Sequence, residues 1–563
     1  MAGYEKITPE GTRDMLFEEC AVRGGVMEKL RGVFAGAGYR EVSTPGFEFY
    51  DVFASGDKAE YYPQESMYKM TDARGRLVTV RPDNTIPIAR MTASKLRGAP
   101  LPIKLSYAQQ VFRRQQELSG RSAEVMQMGV ELIGASGFDS DVDMLSLAAT
   151  SLDAAAASPC RIEIGHVGIF NLLIDGVDAS PEDKALIHRY IAAKNYAALD
   201  DALDRAEAPS APDGDGGLRS VEILRRLPRL FGGREALAEA SGLMDGYDDK
   251  LTGMLSYLER LFATLSPGGG DGRVMIDLGL VNQAGYYSSL VFRGYTEDTG
   301  VPVLSGGRYD DLLADFGEGL PATGFGLDID ALTASALRAR GNGGTRSPAA
   351  AGERRSLRVA ITKGRLERAF TELMEKAGFD CAPLNDKGRK LLVALPGTGL
   401  EFFLAKAPDV ITYVEHGVCD IGIVGKDTIA EQGGTYYEIM NLGIGRCKFA
   451  LAAPRGSDFF GGYGAKTVAT KYPNVAERYF AGKGMDVEII KIEGSVEIAP
   501  LLSLSGAIVD IVETGVTLEE NGLAVIEEIR DISARFIVNV TSMKLKKEEI
   551  DGFAARISGA KES

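Results

Sequence analysis

The stretch VDIVETGVTLEENGL, residues 509–523, sets two acids, Asp510 and Glu513, against a turn of small and hydroxyl residues, Thr514-Gly515-Val516-Thr517. A β-branched run that ends in such a turn and passes into a polar segment leaves backbone N–H groups without partners, and such groups cradle a phosphate. The acids are unsuited to that phosphate, since like charges repel. They need neutral donors, and the hydroxyls of a ribose beside a 5'-phosphate supply them. The pattern suits a phosphorylated sugar, although Thr-Gly-x-Thr alone reads more readily as a helix cap with solvated acids.

Other chemistries find little material. Only three histidines occur, His166, His188 and His416, and their spacing suggests neither a shared metal site nor a Ser-His-Asp triad. The five cysteines are scattered with no C-x-x-C pair, which points to reduced cytosol rather than a disulfide framework or a zinc site. With net charge -16 and basic clusters no denser than Arg354-Arg355 and Lys544-Leu-Lys-Lys547, the chain lacks the electrostatic footprint of a nucleic-acid binder. No signal peptide or membrane span is expected, because no charge-free apolar run approaches about 18 residues. Catalysis must lean on carboxylates, cations, hydroxyls and backbone amides.

A chain of 563 residues calls for two or three domains. The sharpest break is GNGGTRSPAAAGERR, 341–355, which reads as a linker between a domain at 1–340 and another at 356–563. Within the first, about 180–265 reads as a helical insert, opened by Ser180-Pro181-Glu182-Asp183 and broken at 208–217 and 266–272. After the linker, short apolar strands (LRVAIT, DIGIVG, KTVAT, AIVDIV, RFIVNVTSM) alternate with helices such as KGRLERAFTELMEKAGF, stopped by Gly378. The second domain is therefore expected to be α/β with a largely buried sheet.

VDIVETGVTL, with ITKGRLERA, GRKLL, DVITYVEHGVCDIGIVGKD, NLGIGRCK, VATKYPNVAERYF, GSVEIAPLL and ARFIVNV in order, resembles the short form of the ATP phosphoribosyltransferases, over nearly all of 356–563. The resemblance implies a periplasmic-binding-protein-like α/β domain in which N1 of ATP attacks C1 of phosphoribosyl pyrophosphate and releases pyrophosphate. It implies that Arg365, Arg389 and Lys363 grip pyrophosphate, Asp510 and Glu513 the ribose hydroxyls, and Thr514, Gly515, Val516 and Thr517 the 5'-phosphate. Lys406, where the family usually has Arg, and Asp409 fall toward the nucleotide. Gly425-Lys426-Asp427 and Glu497 read as caps and turns as readily as site residues. Mg2+ would arrive on the substrate, with no metal ligand assigned among the side chains.

PEGTRD, VRPDNT, VFRRQQ, AEVMQMGVELIG, QAGYYSSLVF and LSGGRYDDLL resemble the catalytic core of histidyl-tRNA synthetase, implying a class II antiparallel sheet over the first domain. Asn282 stands where that family's histidine-specific arginine begins its signature, and Ile329 where an ATP-gripping arginine belongs. Aminoacylation, and a tRNA partner with it, is therefore not expected. What remains resembles the histidine pocket of the regulatory subunit that partners short transferases. Asp83 and Thr85 would hold an α-amino group, Arg113 a carboxylate, and Gln127, Glu131, Tyr286 and Tyr287 amino or imidazole groups. The expected protein is a cytoplasmic, homo-oligomeric transferase inhibited by histidine. The alternatives are a histidyl-tRNA-synthetase-like ligase and a non-catalytic histidine or nucleotide sensor.

Overall fold

The computed structural model describes residues 6–54, 62, 64–115, 121–192, 194–206, 215–266, 272–281, 285–297, 299–341, 356–462 and 465–562. The chain divides into two compact units, Met1–Pro348 and Ala349–Ser563. The linker expected at 341–355 lies, Gly341 apart, outside the described residues, and so does Asn282. Among the described residues no helix is long and apolar enough to cross a membrane.

In the first unit a nine-stranded sheet has an antiparallel centre. Strands Ile103–Phe112, Glu124–Ile133, Ala322–Asp328, Leu304–Arg308, Leu290–Thr296 and Cys160–His166 pair in that order. Strand alternation divides its side chains between two faces. Met128, Val130 and Leu132 enter the main core, with Val26, Leu30 and Phe34 of helix Phe17–Gly36 and Met144, Leu145 and Leu152 of helix Phe138–Ala155. Their neighbours Gln127, Gly129 and Glu131 belong to the opposite face. Ile133, Tyr107, Tyr286 and Tyr309 cluster there.

The insert is helical in its described residues apart from the two-residue strand Phe231–Gly232. Ser180 Oγ accepts from Asp183 N at 3.1 Å, capping helix Pro181–Ala192 as its residue types predict. Helix Asp215–Arg226 begins inside the stretch expected to be a break. Val221, Ile223 and Leu224 join the core from this helix, and their burial outweighs the poor helix propensity of Asp-Gly-Gly.

The second unit contains two mixed sheets. In the first, strands Leu357–Thr362, Leu400–Ala405 and Ile421–Gly425 run parallel; in the second, Lys466–Thr470, Val487–Lys491 and Ala507–Val512 do. The backbone crosses between sheets twice, from strand Tyr437–Asn441 to Cys447–Pro454 and from Leu523–Ile532 back to Ala534–Val538. Leu442 N donates to Ala534 O and Ala534 N to Ile444 O, both at 2.9 Å, so the crossings are bonded to each other. RFIVNVTSM is a strand only as far as Val538. Asn539 then accepts from Ser542 N at 2.9 Å and caps helix Val540–Leu545, an ordinary role for asparagine that the apolar run concealed.

Glu438 accepts an ion pair from Lys426 Nζ at 2.6 Å and lies 3.2 Å from Arg535 Nε, with both Lys426 and Glu438 buried. Glu438→Ala leaves two cations facing each other in the interior. The expected loss in urea unfolding of the full chain is about 3–5 kcal/mol.

Candidate active site and effector pocket

Parallel strands in register deliver the residues that follow them to one edge. Thr362 lies beside Ala405, and Lys363 N donates to Ala405 O at 2.9 Å, so Lys363 and Lys406 emerge as neighbours, both exposed. Gly364 then turns with φ 95 into helix Arg365–Lys376, whose Phe370, Leu373 and Met374 are buried. The helix stops at Gly378, φ 79, where the expected Gly stop falls. Arg365 stands at the exposed start of this helix. Arg389 occupies an exposed turn anchored nearby, because Lys387 pairs with Glu367 at 2.6 Å and Glu367 accepts from Gly364 N at 3.2 Å. Asp409, in the first turn of helix Ala407–Glu415, is exposed and touches none of the other site residues through a hydrogen bond or ion pair.

The second sheet presents the opposite chemistry. Strand Ala507–Val512 ends at Glu513, and Gly515 takes the left-handed φ of 80 that starts the short helix Val516–Glu520. Among the described residues, Thr514 and Gly515 find no main-chain acceptor for their N–H groups, which leaves donors at the turn. Thr514, Val516 and Thr517 are exposed. Asp510, within the strand, has its carboxyl pushed up to about 6 by burial, with Glu497 adding repulsion and the hydrogen bond from Ile511 N opposing both.

The sheets meet at a contact between Arg365 Nη1 and the Glu513 carboxylate. One cleft thus holds Lys363, Arg365 and Lys406 on one side and Asp510 with the 513–517 turn on the other. Sequence reasoning passed over Tyr472, whose hydroxyl reaches Asp427 across the cleft at 3.4 Å and feels the charge of Asp510 as well. It also passed over Cys447, whose thiol is pushed up by burial and by Asp427. Both lie in quoted motifs, VATKYPNVAERYF and NLGIGRCK, but their residue types alone carried no distinguishing signal.

In the first unit, glycines let polar and aromatic side chains pack directly over the sheet. Glu131 pairs in register with Gly324 and Gly129 with Gly326. A Cβ on Gly324 would meet Glu131 Oε2 at 1.9 Å, and one on Gly307 would meet Tyr287 Cδ1 at 2.5 Å. Thr85 Oγ1 donates to Glu131 Oε1 at 2.8 Å, and Tyr309 donates to the other oxygen. Thr85 therefore holds Glu131. Asn84 Nδ2 donates to Gln127 Oε1 at 2.8 Å, and Tyr286 Oη lies 3.4 Å from Asp83 Oδ2. Arg113 donates to Pro82 O at 2.9 Å, with Tyr62 under its guanidinium at 5.8 Å. Burial pushes Glu131 up to about 8 and Asp328 to about 6, and raises Asp83. Asn84, Tyr107, Tyr309 and Asp328 complete this shell and were not singled out from sequence. Ile329 is fully buried in the main core, so that position supplies no cation.

The profile of the family described as histidyl-tRNA synthetase matches residues 11–332, and that described as ATP phosphoribosyltransferase matches 406–559. The ATP phosphoribosyltransferase of Clostridium kluyveri is 58% identical over 197 residues, 35% of this chain and 90% of that protein. The chain belongs to the ATP phosphoribosyltransferase family, with a regulatory subunit of histidyl-tRNA-synthetase type joined on its N-terminal side. The regulatory subunit of C. kluyveri is 37% identical over 342 residues, 61% of this chain and 85% of that subunit. A solved ATP phosphoribosyltransferase regulatory subunit/histidyl-tRNA synthetase from Bacillus halodurans superposes with TM-score 0.52 at 29% identity, covering 71% of this chain and 93% of its own.

This phosphoribosyltransferase transfers the phosphoribosyl group of phosphoribosyl pyrophosphate to N1 of ATP, the entry to histidine biosynthesis. Its 513–517 turn offers a direct test. A Cβ on Gly515 has open space, the nearest atom being Val512 Cγ1 at 3.9 Å, so Gly515→Ala costs only the left-handed backbone. At about 1–2 kcal/mol, the expected outcome is a loss of that size in urea unfolding of the full chain.

Proposed function

We propose that phosphoribosyl pyrophosphate binds across the cleft of the second unit. Arg365, Arg389 and Lys363 hold its pyrophosphate, Asp510 and Glu513 its ribose hydroxyls, and the amides and hydroxyls of Thr514-Gly515-Val516-Thr517 its 5'-phosphate. The observation that carries this reading is the Arg365–Glu513 contact, which brings a phosphate-type cation and a ribose-type acid into one cleft. Lys406 and Asp409 lie toward the nucleotide.

N1 of adenine carries its own lone pair, so the attack needs no general base. The demand falls on the charge leaving with pyrophosphate, which guanidinium groups meet bidentately, and on alignment of two substrates. Mg2+, entering on pyrophosphate oxygens and keeping waters of its own, adds to that charge stabilisation. Among the described residues no cluster of three potential ligands would compete for it.

Histidine is the effector in this reading, bound in the pocket of the first unit with its carboxylate on Arg113 and its cationic groups near Asp83 and Glu131. The buried acids, the arginine and the crowded tyrosines suit a small zwitterion. Inhibition follows from differential affinity for two states of a homo-oligomer. Aminoacylation of tRNA is not part of this reading, and the cytoplasm is its compartment.

Arg389→Ala is expected to lower kcat/KM for phosphoribosyl pyrophosphate by about two orders of magnitude, the scale of one lost transition-state donor, with histidine binding unchanged. Arg113→Ala is expected to abolish inhibition and leave turnover intact. Both are read by steady-state formation of phosphoribosyl-ATP with and without histidine.

Glu131 supplies a pH test. Burial pushes its carboxyl up to about 8, which favours the protonated form at pH 7. A cationic ligand group favours the charged form, lowers that pKa and releases a proton. The Glu131 contribution to histidine affinity therefore increases as pH rises toward 8 and levels off above it. Calorimetry at pH 7 in buffers of different ionisation enthalpy is expected to show proton release that Glu131→Gln removes.

A further inference from the structure

Asp427 stands apart from the other charges of the cleft. It follows strand Ile421–Gly425 as the second residue of helix Lys426–Gln432 and is half-buried. Its side chain folds back over the strand end, for a Cβ on Gly425 would lie 2.0 Å from Asp427 Oδ1. Among the described residues the carboxylate's hydrogen-bond partners are hydroxyls, Tyr472 Oη and Thr428 Oγ1, each at 3.4 Å and well beyond the usual O–H···O length. Among the described residues no Lys, Arg or His forms an ion pair with it.

A half-buried carboxylate without a cation is a cost to the fold. It is also out of character with the edge from which it projects, where Lys363, Arg365 and Lys406 suit anionic groups. Its position nevertheless lies beside the ribose side of the cleft, since Tyr472 feels both Asp427 and Asp510, and Cys447 feels Asp427 together with Arg365 and Glu513.

The reaction itself generates the missing cation. The N1 lone pair of adenine becomes the new bond to C1 of the pentose, the C1–O bond breaks, and its electron pair leaves on pyrophosphate. Adenine, neutral before the step, gains one positive charge shared along N1, C6 and the exocyclic nitrogen. No proton has to move. A carboxylate accepting a hydrogen bond from the exocyclic amino group meets a neutral donor in the ground state and a charged one as the bond forms. Its attraction strengthens in the transition state, which is the condition for lowering the barrier.

We propose that Asp427 is a catalytic residue that accepts a hydrogen bond from the adenine amino group of ATP and stabilises the positive charge developing on the base, with Tyr472 steadying its carboxylate. This rests on the placement of phosphoribosyl pyrophosphate in the same cleft.

The test uses the full chain and the variants Asp427→Asn and Asp427→Ala, with phosphoribosyl pyrophosphate and Mg2+ titrated by calorimetry and turnover measured at saturating ATP. The expected result is a fall in kcat of at least tenfold in both variants, larger for Asp427→Ala because asparagine keeps an acceptor. The Kd for phosphoribosyl pyrophosphate stays within threefold. A smaller fall in kcat overturns the proposal, and so does a fall matched by lost affinity for the donor, which marks a structural role. Arg389→Ala measured alongside separates the two readings. If it behaves as expected and the Asp427 variants do not, only the role of Asp427 is lost; if it has no effect, the cleft assignment is lost first.

Discussion

The catalytic unit depends on the pair of backbone crossings between its sheets. Leu442 and Ala534 exchange hydrogen bonds with each other's segments, and Asn441 Oδ1 accepts from Ser533 Oγ at 2.8 Å and Gly443 N at 2.9 Å. These bonds tie together two short connections that would otherwise be independent. Each sheet sends its functional residues from the ends of parallel strands, so joining the sheets here directs both sets toward one space. Apolar residues back the polar cleft, with Ile361, Ile423, Val509 and Phe536 fully buried behind it.

Charge is divided between the walls of that cleft. Lys363, Arg365 and Lys406 follow two strands of the first sheet and Asp427 a third, whereas the second sheet offers Asp510, Glu513 and the amides of its turn. The walls touch through Arg365 and Glu513, both more than half exposed, so the contact is screened and weak. A weak contact suits a place where substrate must enter. The regulatory pocket is built differently, with its acids and tyrosines packed over a glycine-lined sheet, and burial rather than pairing sets their protonation.

Sequence made the chemistry of the catalytic unit legible because it is local. LRVAIT-KGR and AIVDIV-ETGVT each hold a strand, its end and its functional turn within about ten residues, and the structure contains these strands and turns. Three features were not legible, for physical reasons. The Asn539 cap was hidden by an apolar run that continues through it. Helix Asp215–Arg226 draws its support from Val221 and Leu224 in a distant core, which no local propensity reports. Asp427 and Tyr472 meet only because the chain crosses between sheets, and a contact of that kind has no signature in either segment. In the regulatory unit, the bond from Thr85 to Glu131 joins a helix start to a strand far away in sequence, and neither segment announces it.

The glycine floor of the regulatory pocket separates volume from charge. At Gly326 an added Cβ would crowd Gln127 Nε2 at 2.6 Å and Tyr107 Oη at 2.9 Å, both ends of side chains that can swing, whereas at Gly324 it would strike Val130 O at 2.4 Å and disturb the sheet itself. Gly326 is thus a place where one methyl group can shrink the cavity while every ionisable group stays. A single carbon atom there narrows the space beside Gln127 and Tyr107 and leaves the catalytic unit as it is.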